Sequence, residues 1–228
     1  MTAAHCVASE STPDIQLFKA VFGRHDLSLE KADEGAFEVG IKEIYIHDSF
    51  DFETLVYDIA ICELESPISD FRPAPLDMKG KYSESSTLVT AVGWGSFYDS
   101  ESQRLQVSDV VREVELSILK PSVCQDFFGS LDNAGKYPFY PEIMQCMGPA
   151  NSRSGSCNGD SGGPVFATTP SGQSIVVGII SWGLPNGCGL ERDPSVNTPI
   201  YEVSIRLSVD QSFDSLDARL DCHNSKAS

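Results

Sequence analysis

The densest chemistry in this chain lies in the stretch SGSCNGDSGGPVF, residues 154–166. Ser161 is crowded by Gly159, Gly162 and Gly163, with Asp160 just before it. Glycines permit tight turns and leave bare backbone that another molecule can approach. One reading is a glycine-rich turn with a capping Ser or Asp. The other is an exposed serine nucleophile, which needs a base to take its proton and an acid to orient the base. Four histidines are available: His5, His25, His47 and His223. His47, in IYIHDSFD, falls at a strand end and reads as a surface residue. His25, in FGRHDLS, reads as strand-to-turn. His5, in TAAHC, is flanked by small residues and a cysteine. Among the acids Asp58 stands out, because it sits inside the apolar run TLVYDIAICEL. A buried carboxylate must be hydrogen-bonded or paired with a charge. Asp58 either caps local backbone amides or holds a histidine ring.

Residues 159–163 also fit the G-x-S-x-G turn of α/β-hydrolases, which needs a strand before the serine and a helix after it. The following GGPVFATTPSGQSIVVG is poor helix material. The only histidine after Ser161 is His223, in a polar tail. Both facts argue against that fold.

The elements that must position these residues read as strands. IQLFKAVFG, FEVGIKEIYIH, IAICEL, STLVTAVGWG, VREVELSIL, GPVFATT and SIVVGIISWG are short apolar or alternating runs, separated by Gly, Pro, Asp, Asn and Ser clusters. The pattern suits an all-β sandwich or barrel better than alternating βα units. Two helices are expected: KPSVCQDFF, with Pro121 in a first turn, and a C-terminal helix near VSIRLSVDQSFDSLDARL. Residues 65–86 carry three prolines and few apolar residues. They read as a linker between two β-rich halves.

At 228 residues the chain can bury a substantial core. Its net charge of −17 argues against a nucleic-acid partner, whose phosphates it would repel. No run approaches the length of a membrane span, and no signal peptide is visible. The seven cysteines include no C-x-x-C pair, so a zinc ribbon is not expected. Cysteines at long spacings suit disulfides and an oxidising compartment. An odd count leaves at least one free or paired elsewhere.

TAAHC, DIA and GDSGGP, in that order, resemble the chymotrypsin/trypsin family of serine endopeptidases. FGRHDLS, YIHDSFD, AVGWG, SWG and a late Y-x-V-S extend the likeness along nearly the whole chain. The resemblance implies an all-β fold of two six-stranded antiparallel Greek-key barrels and a C-terminal helix. Residues 1–85 would form the first barrel, truncated at its start and including the linker from about 65. Residues 86–228 would form the second. His5 would be the general base, Asp58 its orienting acid and Ser161 the nucleophile. The N–H groups of Gly159 and Ser161 would form the oxyanion hole, and Ser181 would support the buried acid. Trp182 and Gly183 would form the strand on which substrate backbone pairs. The expected partners are a protein or peptide substrate and protein inhibitors, with no cofactor and secretion from the cell. A binding or regulatory protein on the same fold, or an inactive truncated form, is the alternative reading.

The family pattern pairs Cys124 with Cys146 and Cys157 with Cys188. Cys6 has no upstream cysteine here; a Cys6–Cys222 pair would be unusual. Cys62 reads as a buried free thiol. Gly155 falls where trypsin-like members carry a pocket aspartate, with Ser156 beside it, so specificity for uncharged side chains is expected. Gly183 leaves the pocket mouth open. The far wall can be aligned from Pro194, which puts Ser195 there, or from Pro199, which does not. Glu191 or Asp193 could still admit basic residues. No metal is expected, since Arg24 replaces the leading carboxylate of the family's calcium loop and calcium wants oxygen ligands. GSLDNAGKYPFYPE reads as an inserted loop. Family members have a longer stretch before the histidine. Its cleavage releases an ammonium that pairs with the residue at Asp160, so the chain reads as N-terminally incomplete and Asp160 as an activation-linked carboxylate.

Overall fold

The structure is a computed structural model, and it describes residues 1–8, 15–99, 101–131, 137–149, 155–184 and 193–202. The expected C-terminal helix and Cys222 lie outside them, as do Cys188, Glu191 and His223. Most of the inserted loop's centre is outside as well.

The first half is built on a three-stranded antiparallel sheet in the order β1 (Lys19–Phe22), β2 (Phe37–Ile46), β3 (Ala60–Leu64). Before it comes one helical turn, α1 (Ala4–Val7), which carries His5. Ala3 and Ala4 are fully buried, and only side chains this small let the turn press against Ala60. Thr2 and Ala60 exchange backbone hydrogen bonds of 2.9 and 2.8 Å, which ties α1 to the edge of β3. Phe22, Val39, Ile41 and Cys62 form the core of this sheet.

The second half is a closed barrel. Its strands are β4 (Leu88–Gly93), β7 (Arg112–Ile118), β8 (Gln145–Pro149), β9 (Pro164–Thr168), β10 (Ser174–Trp182) and β11 (Ser195–Pro199). They close in the order β10-β11-β8-β7-β4-β9, and all their pairings are antiparallel. Closure removes the exposed strand edges that invite aggregation. A short hairpin, β5 (Phe97–Asp99) and β6 (Arg104–Gln106), projects beside it. The alternation in REVELSI places Leu116 and Ile118 inside while Glu113 and Glu115 stay outside. Val89, Ala91, Met147, Val165, Ala167, Val177 and Ile180 complete that core. Each large aliphatic side chain so buried contributes about 1.5–3 kcal/mol.

Helix α2 (Pro121–Leu131) starts on its proline as expected and buries Cys124 and Phe128, four residues apart on one face. The Cys124–Cys146 disulfide pins it to β8 across a sequence separation of 22, worth about 3 kcal/mol on a loop-entropy model. Residues 65–86 cross from one half to the other and are held to the barrel by the Leu76–Val176 bridge. A seam cluster of Ala3, Ile59, Val176, Ile179 and Ile200 packs the halves together.

Candidate active site

His5 on α1, Ser161 in the turn before β9, and Ser181 and Trp182 at the end of β10 line one open cleft of about 220 Å³. Asp58 lies behind it and is fully buried. Its Oδ1 accepts the backbone N–H of His5 at 2.8 Å, and its Oδ2 lies 2.7 Å from His5 Nδ1. An ionised carboxylate only accepts, so Nδ1 carries the proton and Nε2 is left as the basic nitrogen. Ser181 donates its hydroxyl to Oδ2 at 2.5 Å, and Thr198 Oγ1 donates to the Asp58 carbonyl at 3.1 Å. Asp58 thus sets its carboxylate against the His5 ring. Its partners come from 53, 123 and 140 residues away rather than from local amides.

Ser161 Oγ donates to the Ser181 carbonyl at 3.2 Å, so its one proton is directed there rather than to His5 Nε2. His5 Nε2 lies 3.7 Å from Cys6 Sγ. Gly159 has φ +94°, and a Cβ there would press on Gly95 Cα, so only glycine fits this turn. Among the described residues, neither the Gly159 nor the Ser161 N–H donates to a protein acceptor. Two uncommitted donors beside a serine hydroxyl can stabilise an oxygen that gains negative charge.

Asp160 is enclosed by the turn. Oδ1 accepts from Gly95 N and Oδ2 from Cys157 N, both at 2.8 Å. A Cβ at Gly93 or Gly95 would run into its carboxylate. Burial pushes its pKa up, against the pull of those two backbone donors. Among the described residues no cation pairs with it.

Gly155, Ser156, Gly183 and Ser195 line the same cleft. A Cβ at Gly155 would meet nothing within 4 Å, and one at Gly183 would make only ordinary contact with Ser195 Cβ at 3.7 Å. β11 begins at Ser195 and pairs Val196 with Trp182, which sets Ser195 beside the Trp182–Gly183 end of β10. Ser195 Oγ is buried and has no hydrogen-bond partner among the described residues. Asp193 also faces the cleft. The cleft includes Leu55, which carried no signal in the sequence because it sits in an irregular loop; Thr198, in the short polar strand β11, was missed because only pairing with β10 brings it to Asp58.

Cys62 is buried and free. Cys6 and Cys157 each take part in a disulfide. The expected Cys188 partner and the Cys222 alternative lie outside the described residues. At the loop after β1, Arg24 pairs with Glu34 at 2.7 Å, and both side chains are nearly buried. Glu34 Oε1 also accepts from His25 N and Asp26 N, while Arg24 Nη2 donates to the Leu29 carbonyl. A guanidinium thus sits at the centre of this loop.

The family model described as Trypsin matches residues 1–205. The chain belongs to the trypsin family. It is 31% identical to the serine proteinase stubble of Drosophila melanogaster over 206 residues, which cover 87% of this chain and 24% of that protein. It is 28% identical to trypsin-1 of Astacus astacus over 203 residues, covering 88% of this chain and 78% of that one. Serine protease filzig of Drosophila melanogaster is 30% identical over 210 residues, 90% of this chain and 12% of its own length. The chain therefore spans only a small part of stubble and filzig. The closed antiparallel barrel and the mostly β content are those of the trypsin fold.

Proposed function

We propose that this chain is the catalytic part of a serine endopeptidase. The observation that carries the proposal is the linked set Ser181–Asp58–His5, with Ser161 in the same cleft. In this reading Ser161 turns from the Ser181 carbonyl toward His5. His5 Nε2 takes its proton as Oγ attacks the scissile carbonyl, and Asp58 stabilises the imidazolium. The N–H groups of Gly159 and Ser161 receive the oxyanion; losing such a donor typically costs on the order of 10²–10³ in rate. His5 then protonates the leaving amine, and water releases the acyl group by the same steps. A hydroxyl turned aside before substrate binds is compatible with this, because such bonds often tighten only in the bound complex.

The same reading makes Asp160 the counter-charge for an ammonium released by zymogen cleavage, which its burial, with no cation beside it among the described residues, supports. The Cys124–Cys146 disulfide supports a secreted protein. The space around Gly155 and Gly183 and the hydroxyls of Ser156 and Ser195 support an uncharged primary specificity, chymotrypsin- or elastase-like.

The test uses the full natural gene product after activation. A fluorophosphonate should label Ser161, and peptide cleavage should vanish in Ser161→Ala. A full-length, activated protein that neither labels nor cleaves would leave the non-catalytic reading standing. In a peptide library the preferred residue should be uncharged. A strong preference for Lys or Arg would reject the role given to Gly155 and shift attention to Asp193.

A further inference from the structure

The loop from His47 to Tyr57 hands the chain to Asp58 in a conformation that needs explaining. Leu55 and Tyr57 both have left-handed backbones, with φ of 54° and 52°. Bulky side chains rarely adopt that region; glycine and, to a lesser degree, asparagine do so more readily. Tyr57 immediately precedes the buried carboxylate, and its carbonyl accepts the Ile59 N–H at 2.8 Å. Asp58 is therefore the middle residue of a three-residue hydrogen-bonded turn. Any change in the Tyr57 backbone is passed straight to it.

Tyr57 is not left to hold that conformation alone. Its ring lies flat on the His47 ring, with centroids 4.6 Å apart and planes 3° from parallel. His47 is itself fixed at three points. Its N–H donates to the Ile59 carbonyl at 3.2 Å, and its Nδ1 accepts the Ser49 N–H at 3.1 Å. Its carbonyl accepts the Phe50 N–H at 2.9 Å. The loop between the rings is closed by Leu55 N to Asp51 O and by Thr54 on Asp51 Oδ1. His47 thus reads as a surface residue in the sequence but works as an anchored platform.

We propose that the His47–Tyr57 stack is a positioning device for Asp58: it keeps Tyr57 left-handed and so holds the carboxylate on His5 Nδ1. The device rests on the hydrolase reading above. His47 and Tyr57 act through Asp58, and neither is assigned a contact with the reacting atoms. Displacing an orienting group by a fraction of an ångström lowers the rate of the chemical step while leaving a well-formed pocket to bind substrate.

The test compares variants of the activated, full natural gene product, with kcat expressed per active site counted by burst titration, so unfolded molecules drop out. The substrate is an ester of a single amino acid. His47→Ala should lower kcat on the order of tenfold with KM changed less than about threefold. Tyr57→Phe, which keeps the ring, should stay within about twofold of wild type. The double variant His47→Ala/Tyr57→Asn supplies a residue that tolerates the left-handed backbone, and should recover most of the lost kcat. An unchanged kcat in His47→Ala would overturn the proposal. So would a double variant no faster than His47→Ala. A wild-type protein without turnover would overturn the hydrolase reading and this inference with it, whereas an active wild type with an unchanged His47→Ala overturns this inference alone.

Discussion

At the scale of single residues the buried carboxylates differ in how they are satisfied. The Asp58 carboxylate has two side-chain partners, His5 Nδ1 and Ser181 Oγ, and one backbone donor, the His5 N–H, so both of its oxygens are engaged. Asp160 has two backbone donors and no cation among the described residues, and burial raises its pKa above the ordinary 3.8. A group with a raised folded pKa binds more protons folded than unfolded between those two values. Stability therefore falls as pH rises through that window, from 3.8 up to the raised value. For the chain without a released N-terminal ammonium, chemical denaturation across this range should show that decline, and Asp160→Asn should flatten it. An Asp160→Asn variant with an unchanged pH slope would show that the charge is already compensated. The sequence made Asp58, His5 and Ser161 legible because each sits in a short local word. The direction of the Ser161 hydroxyl and the Thr198 bond were not legible, since both depend on strands brought together only by barrel closure.

At the scale of elements, the loop between β1 and β2 shows one side chain doing the organising. The Arg24 guanidinium sits on Glu34, and the loop backbone folds onto both. Removing one partner of a nearly buried pair leaves the other charge uncompensated. Arg24→Met should therefore cost on the order of 3 kcal/mol in urea unfolding, and Arg24→Met/Glu34→Gln should cost less than the single change. A double variant less stable than Arg24→Met would show that Glu34 is held by the two backbone donors alone. Strands with alternating or continuous apolar runs, such as β2, β7 and β10, were legible for the physical reason that one or both faces meet a core. The strands β8 and β11 were not, because QCMGP and SVNTP are short and rich in small or polar residues. Their burial comes from neighbours rather than from their own composition. The hairpin β5–β6, largely exposed, has only Phe97, Tyr98 and Leu105 as apolar residues in two three-residue strands, too few to show a period.

At the scale of the whole molecule, the site lies on the seam between halves. His5 and Asp58 belong to the first half, while Ser161, Ser181 and Thr198 belong to the barrel. Among the described residues, at least two zones besides the active-site hydrogen bonds join the halves. One is the cluster of Ala3 and Ile59 on Val176, Ile179 and Ile200. Another joins His25 and Asp26 to Trp94 and residues 109–111, through Trp94 Nε1 on the His25 carbonyl and the Asp26–Val110 bridge. Packing at the first zone should then matter to chemistry as well as to stability, unlike packing inside the barrel. Ile59 and Leu116 are both essentially buried, so Ile59→Ala and Leu116→Ala should each cost about 2–5 kcal/mol. Well below both melting temperatures, only Ile59→Ala should lower kcat per titrated site, because its cavity loosens the placement of Asp58 against Ser181. Leu116→Ala empties a space enclosed by barrel strands and leaves the seam intact. Equal losses of kcat in the two variants, or none in Ile59→Ala, would mean that the hydrogen bonds to Asp58 set the register of the halves without help from the apolar seam.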